Sequence, residues 1–160
     1  MKPAPISPLQ LDFWSLEKLV FRKNPAYSHD IEENEDYEIL VDFDVRLLGE
    51  ENEFVIPLIV EVRPVTTRGD NHKLEEIMVE LNGFFRVAAG INPWDLIPGN
   101  ALAMLYGLAR GLVQPALSNA LTPFAVLPVV NLQEVITKKA EEITKRSKRA
   151  KKPRAKKVQE

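Results

Sequence analysis

Apolar and polar residues alternate in three stretches of the N-terminal half. In Tyr37–Leu47 the apolar positions Ile39, Val41, Phe43, Val45 and Leu47 are separated by Glu38, Asp42, Asp44 and Arg46. A period of two is that of a strand with one face buried and one in water. Phe54, Ile56, Leu58, Val60 and Val62 repeat the pattern, with Glu61 and Arg63 opposite. Pro57 lies inside this second run and predicts an edge strand or a bulge. Ile77, Val79, Leu81, Phe85 and Val87 form a third run, facing Met78, Glu80, Asn82 and Arg86. An earlier run, Leu9–Phe21, is less regular: Leu9, Leu11 and Phe13 share a parity, as do Leu19 and Phe21, while Trp14, Leu16 and Val20 lie opposite. The segments around Gly49 and around Gly69-Asp70-Asn71 are short enough for hairpin turns. Lys23–Asp36 is acidic and reads as a longer solvated crossing.

The pattern then changes. Between Ile91 and Val130 the chain carries only two charges, Asp95 and Arg110. Asn92-Pro93 offers a cap and a first helical residue, and Pro98-Gly99 delays the regular helix to about Asn100. Leu105, Leu108, Leu112 and Ala116 mark one stripe of this helix, and Ala101, Gly107, Ala109 and Gly111 are small positions that permit close approach of a backbone. Pro115 predicts a kink. Pro123–Val130 reads as an extended apolar connector. Asn131 then caps a second helix, with Glu134 at the capping-box position and Leu132, Val135, Ile136, Ala140 and Ile143 as its apolar stripe. Strands joined by short turns and followed by helices predict an α+β fold: a four-stranded antiparallel sheet, a long kinked helix and a second amphipathic helix.

Composition sharpens this in two ways. A chain of 160 residues can bury about two-thirds of its unfolded surface as one domain, yet it has little material to wrap a charge-poor helix on every side. Part of that helix is therefore expected to meet a second copy or an apolar partner. Charge is also unevenly placed. Residues 138–160 hold 11 Lys or Arg against 3 Glu, a net of +8, which leaves −10 on residues 1–137 of a chain whose total is −2. The expected division is a body over 1–144 and a basic, disordered tail over 145–160. That tail suits an anionic partner or simple solubility. No cysteine is present, the N-terminus lacks a signal-peptide core, and no apolar run reaches the ~20 residues of a membrane span, so a cytoplasmic protein is expected.

Catalytic signals are sparse. The two histidines, His29 and His72, fall in turn-like segments and are expected to be exposed. Asp42 and Asp44 share a strand face and resemble a carboxylate pair, but charges on a solvated sheet face explain them equally. The acidic cluster Asp30, Glu32, Glu33, Glu35 and Asp36 lacks the alternating ligands and central glycine of a calcium loop. Neither a cofactor nor an enzymatic activity is expected. What core packing leaves unexplained is a surplus of apolar surface, the mark of self-association or of apolar partners.

The order of parts resembles the protein-export chaperone SecB and its relatives. The resemblance rests on Tyr37-Glu38-Ile39-Leu40-Val41 leading to Leu48-Gly49-Glu50-Glu51, on Gly83-Phe84-Phe85, on Ala109-Arg110 within the long helix, and on Pro123-Phe124-Ala125-Val126-Leu127-Pro128-Val129-Val130-Asn131-Leu132. It covers about residues 9–143. It implies ATP-independent holding of unfolded or precursor polypeptides by a homotetramer, a dimer of dimers, in protein transport, with guarding an antitoxin as the alternative. It implies client-groove residues at Phe124, Leu127, Val129, Leu132, Val135 and Ile136, with Trp14 and Phe84 on the sheet. It also implies contact between copies along the long helix at Leu105, Gly107, Leu108, Gly111 and Leu112. Export members carry an acidic pair in the first strand that docks the motor SecA; aligned here, Lys18 and Arg22 stand in those places, with Glu17 one residue away. A Lys/Arg-rich tail is a second departure, and a basic-tailed nucleic-acid or ribosome adaptor is the rival reading.

Overall fold

Among the described residues, five antiparallel strands are followed by helical segments, in the order that the patterning predicts. The computed structural model describes residues 7–31, 36–65, 71–72, 74–119 and 127–150. The strands are β1 (Leu9–Lys23), β2 (Tyr37–Phe43), β3 (Arg46–Leu48), β4 (Glu50–Pro64) and β5 (Leu74–Val87). Their order across the sheet is β1-β5-β4-β2, with β3 also on β4, beside β2. This is a Greek-key order in which the long connection comes first.

The expected second strand is split by Pro57. Phe43 faces Leu58 and Arg46 faces Val55, so the register is unchanged across Asp44-Val45. The Asp44 amide still donates to the Pro57 carbonyl (3.2 Å), but proline has no N–H to return the bond, and the ladder lapses there. The expectation of an edge strand is corrected: β4 is flanked on both sides, and Pro57 directs its missing donor toward the short strand pair. β1 is irregular for a different reason. Its pairing with β5 shifts between Leu11 and Phe13 and again between Leu16 and Lys18. Asp12 and Glu17 are the extra residues, and each bulge reverses parity. Leu9 and Leu11, then Trp14 and Leu16, then Leu19 and Phe21 thus lie on one face, opposite Val87, Phe85, Gly83, Leu81, Val79 and Ile77.

That face holds the core. Phe54, Ile56, Leu58, Val60 and Val62 of β4 alternate with Leu74, Ile77, Val79, Leu81, Phe85 and Val87 of β5, all buried. Helix α1 (Pro93–Leu96) leads through a π-helical turn (Ile97–Ala101) into α2 (Leu102–Asn119), which packs on β5 and β4. The π turn falls at Pro98-Gly99, where the regular helix was expected to be delayed. Ala101, Leu102, Leu105, Tyr106, Ala109, Val113 and Leu117 form the buried side of this segment. The close approach is set by Gly83, since a Cβ there would lie 2.4 Å from Leu105 Cδ2 and 2.7 Å from Phe85 Cε2.

The chain groups into two units, Met1–Val130 and Asn131–Glu160. In the second unit α3 (Leu132–Ala150) begins at Asn131, whose side chain accepts from the Glu134 amide (3.3 Å). Glu134 itself pairs with Lys138 at 2.7 Å. The helical backbone runs past Lys145 to Ala150, into the segment that was expected to be a disordered tail.

Candidate functional site

The covered face of the sheet is not covered everywhere. α2 lies over β5 and β4, and the π turn reaches β1. Along β1 the same face leaves Trp14, Leu16 and Leu19 exposed at 39%, 42% and 45%. Their cross-strand partners Gly83, Leu81 and Val79 are buried, so this apolar row adjoins the core at a sheet edge. An edge strand also presents unpaired backbone groups to anything extended that comes alongside.

The other face is a polar ladder. Lys18 pairs with Glu80 (3.9 Å), Arg22 with Glu76 (3.1 Å), and Arg86 with both Asp12 (3.0 Å) and Glu53 (3.4 Å). The bulge residue Glu17 accepts from Asn82 (2.9 Å). Arg63 is held by Glu38 (2.6 Å), and that contact raises its pKa above the ordinary arginine value. An apolar pair interrupts the ladder: Phe13 stacks on Phe84 with ring centroids 4.0 Å apart. Trp14 and Phe84, expected together as sheet positions of the client site, therefore lie on opposite faces.

The connector residues after α2 are tied to its flank. The Tyr106 hydroxyl donates to the Pro128 carbonyl at 2.8 Å. Burial raises the Tyr106 pKa above the ordinary phenol value, with the nearby Arg110 charge opposing. Leu127 is buried and belongs to the core, whereas Val129 is 81% exposed. Phe124 lies outside the described residues. Leu132, Val135 and Ile136 fall on one side of α3 by their spacing and belong to the second unit.

The residues expected between copies divide as well. Leu105 is fully buried against its own sheet. Leu108 and Leu112 are half-buried on the flank of α2. Gly107 and Gly111 face outward, and a Cβ at either would meet nothing within 4 Å. Met104 is exposed near them.

The sequence reading missed a second group of residues. His72 is corrected from exposed to buried, at 3%, with its ring edge-on to Tyr37 at 5.3 Å. Asn71 is buried beside it. Its amide donates to the carbonyls of Ser28 (2.8 Å) and Ile31 (2.9 Å), and its carbonyl accepts from the Ser28 amide (3.0 Å). The acidic crossing is thereby pinned to the β4–β5 loop. A turn-type asparagine gives no local signal that it bonds to a segment so distant in the chain.

Asp42 and Asp44 are exposed, and each accepts a hydrogen bond from the amide of the residue after it. Among the described residues no cluster of three or more His, Cys, Asp or Glu could hold a metal ion. No described helix is long and apolar enough to cross a membrane.

No protein-family model matches the chain, and no curated protein matches it. Among solved structures, a Mycobacterium tuberculosis SecB-like chaperone in complex with a ChAD peptide from the HigA1 antitoxin is similar, with a TM-score of 0.53 and 12% identity. The match covers 78% of this chain and 91% of that one. At that identity the likeness establishes the α+β fold.

Proposed function

We propose that the chain is a holding chaperone that binds unfolded polypeptides through exposed apolar surface and needs no nucleotide. The observation that carries this is the uncovered row Trp14, Leu16 and Leu19 beside the core on an edge strand. An extended client laid along β1 would bury apolar side chains and satisfy the strand's free backbone groups, whatever its sequence. The net charge of −10 on residues 1–137 favours clients with a cationic excess.

Between the two client routes, antitoxin-type polypeptides are preferred to export precursors. The similar mycobacterial chaperone holds an antitoxin peptide, and Lys18 and Arg22 stand where the resemblance expects a SecA-docking acidic pair. Assembly into dimers and tetramers through the outer side of α2 belongs to the same proposal.

Dilution of a chemically denatured model protein into buffer, followed by light scattering, tests the reading. The full-length chain at comparable molar concentration should suppress scattering without ATP, and Trp14→Glu with Leu19→Glu should restore most of it. Unchanged aggregation in the presence of folded wild-type protein would sink the proposal. A second reading, binding of nucleic acid by the basic C-terminal segment, rests on its net +8 charge. It predicts binding that weakens steeply with salt and disappears when the chain is cut after Ala150.

A further inference from the structure

Register decides where a strand can be added to β1. Its pairing with β5 shifts after Leu11, after Leu16 and after Arg22. A regular ladder is broken at each such point. Lys18–Arg22 is the longest run of β1 without a shift: Lys18, Leu19, Val20, Phe21 and Arg22 face Glu80, Val79, Met78, Ile77 and Glu76 in turn. Among the described residues no strand stands on the other edge of this run.

The two faces of the run differ. Leu19 and Phe21 lie on the face that holds the core, Leu19 exposed and Phe21 half-buried. Lys18, Val20 and Arg22 lie on the polar face, and both cations are exposed. Each cation has one carboxylate on the β5 side, Glu80 at 3.9 Å and Glu76 at 3.1 Å. An ammonium carries three N–H donors and a guanidinium five, so one carboxylate leaves donors on each. Side chains directly opposite on neighbouring strands interact, unlike charges favourably and like charges unfavourably. A second copy suits the run badly. Antiparallel pairing of two β1 strands centred on Val20 places Lys18 of each copy beside Arg22 of the other, and in-register parallel pairing sets each cation beside itself.

We propose that Lys18–Arg22 selects client segments in which two Asp or Glu residues flank an apolar-polar-apolar triplet. The carboxylates sit beside Lys18 and Arg22, the apolar pair beside Leu19 and Phe21, and the middle residue beside Val20. The pattern is the same read from either end, so it serves a client strand running in either direction. This rests on the chaperone reading above and names the segments that its edge strand takes. The net −10 of residues 1–137 acts on a client as a whole and is screened beyond about 8 Å at physiological salt. The choice of the paired segment falls to side chains in contact, where a cationic segment is rejected as an acidic one is accepted.

The test uses the full-length chain and labelled 15-residue peptides of Ser and Thr around a central Glu-Val-Thr-Val-Glu. Gln or Lys replaces both Glu residues in two further peptides. A fourth has the same composition with the two Glu adjacent, and so on opposite faces of a strand. The Glu peptide should bind about fivefold more tightly than the Gln peptide, with the shuffled one between them and the Lys peptide weakest. A charge-swapped variant, Lys18→Glu and Arg22→Glu with Glu80→Lys and Glu76→Arg, keeps both internal ion pairs and reverses the edge. It should melt near the wild type and bind the Lys peptide most tightly. Lys18→Gln with Arg22→Gln should flatten the order, which keeps the test open if the fourfold variant does not fold.

Equal affinities on the wild type, or an order that the variants leave unmoved, would overturn the selection while the chaperone reading stands. Binding of no peptide by a chain that still suppresses aggregation would place clients away from β1 and overturn it too. Loss of both would remove both readings. If Lys18→Gln with Arg22→Gln drives the chain into larger species in native mass spectrometry and leaves the peptide order unmoved, the cations serve to keep copies apart, and the selection is overturned.

Discussion

Gly83 is where α2 comes nearest the sheet. Leu105 fills the space a side chain would take, and Phe85 closes it from the next position along the strand. Gly83→Val is expected to destabilise the chain by about 1–3 kcal/mol through overpacking, read as a lower urea midpoint at unchanged m-value. Asn71 acts at longer range, holding Ser28 and Ile31 with three hydrogen bonds. Asn71→Ala should cost a comparable amount and speed amide exchange at Ser28, with little change in β4 or β5. Neither role could be read locally. Gly83 looks like any strand glycine until α2 is placed over it, and Asn71 lies in a segment whose composition spells a turn. The apolar core positions were legible, because burial on one face leaves a period that needs no partner to be seen.

At the scale of elements, irregularity in the pattern proved to be information. The parity changes in Leu9–Phe21 are two bulges, each placing a carboxylate against a polar side chain of β5: Asp12 on Arg86 and Glu17 on Asn82. Pro57 was legible as a disturbance but not as one inside a central strand, since its effect is felt by the partner strands rather than its own. Helix α3 followed its cap. Asn131→Ala should weaken it by about 1 kcal/mol, seen as faster exchange in its first turn. Glu134 titrates below the ordinary glutamate range because Lys138 hydrogen-bonds its carboxylate. A carboxylate with a depressed folded pKa contributes support that is present above its unfolded pKa and lost as pH falls through the folded value. The α3 contribution should therefore fade on acidification below the ordinary glutamate range, and Glu134→Gln should abolish that dependence.

Among the described residues of Met1–Val130, one side of α2 has no partner. Gly107 and Gly111 open onto empty space, with Met104 beside them, on a helix that carries a single charge, Arg110. The substitution Gly107→Leu separates the two states in which that surface can exist. In an isolated chain a Cβ at this position meets nothing within 4 Å, and replacing an interior helix glycine raises helix stability by up to about 1 kcal/mol. In an assembly that brings another helix against the same position, the leucine overpacks the contact and should cost about 1–3 kcal/mol at each copy. The two readouts are therefore expected to move in opposite directions. Native mass spectrometry at micromolar concentration should show wild-type dimers or tetramers that shift toward smaller species in Gly107→Leu, while the melting temperature of the dissociated chain rises. If stoichiometry stays the same and stability rises, copies do not meet along this face, and its open glycines belong to some other contact.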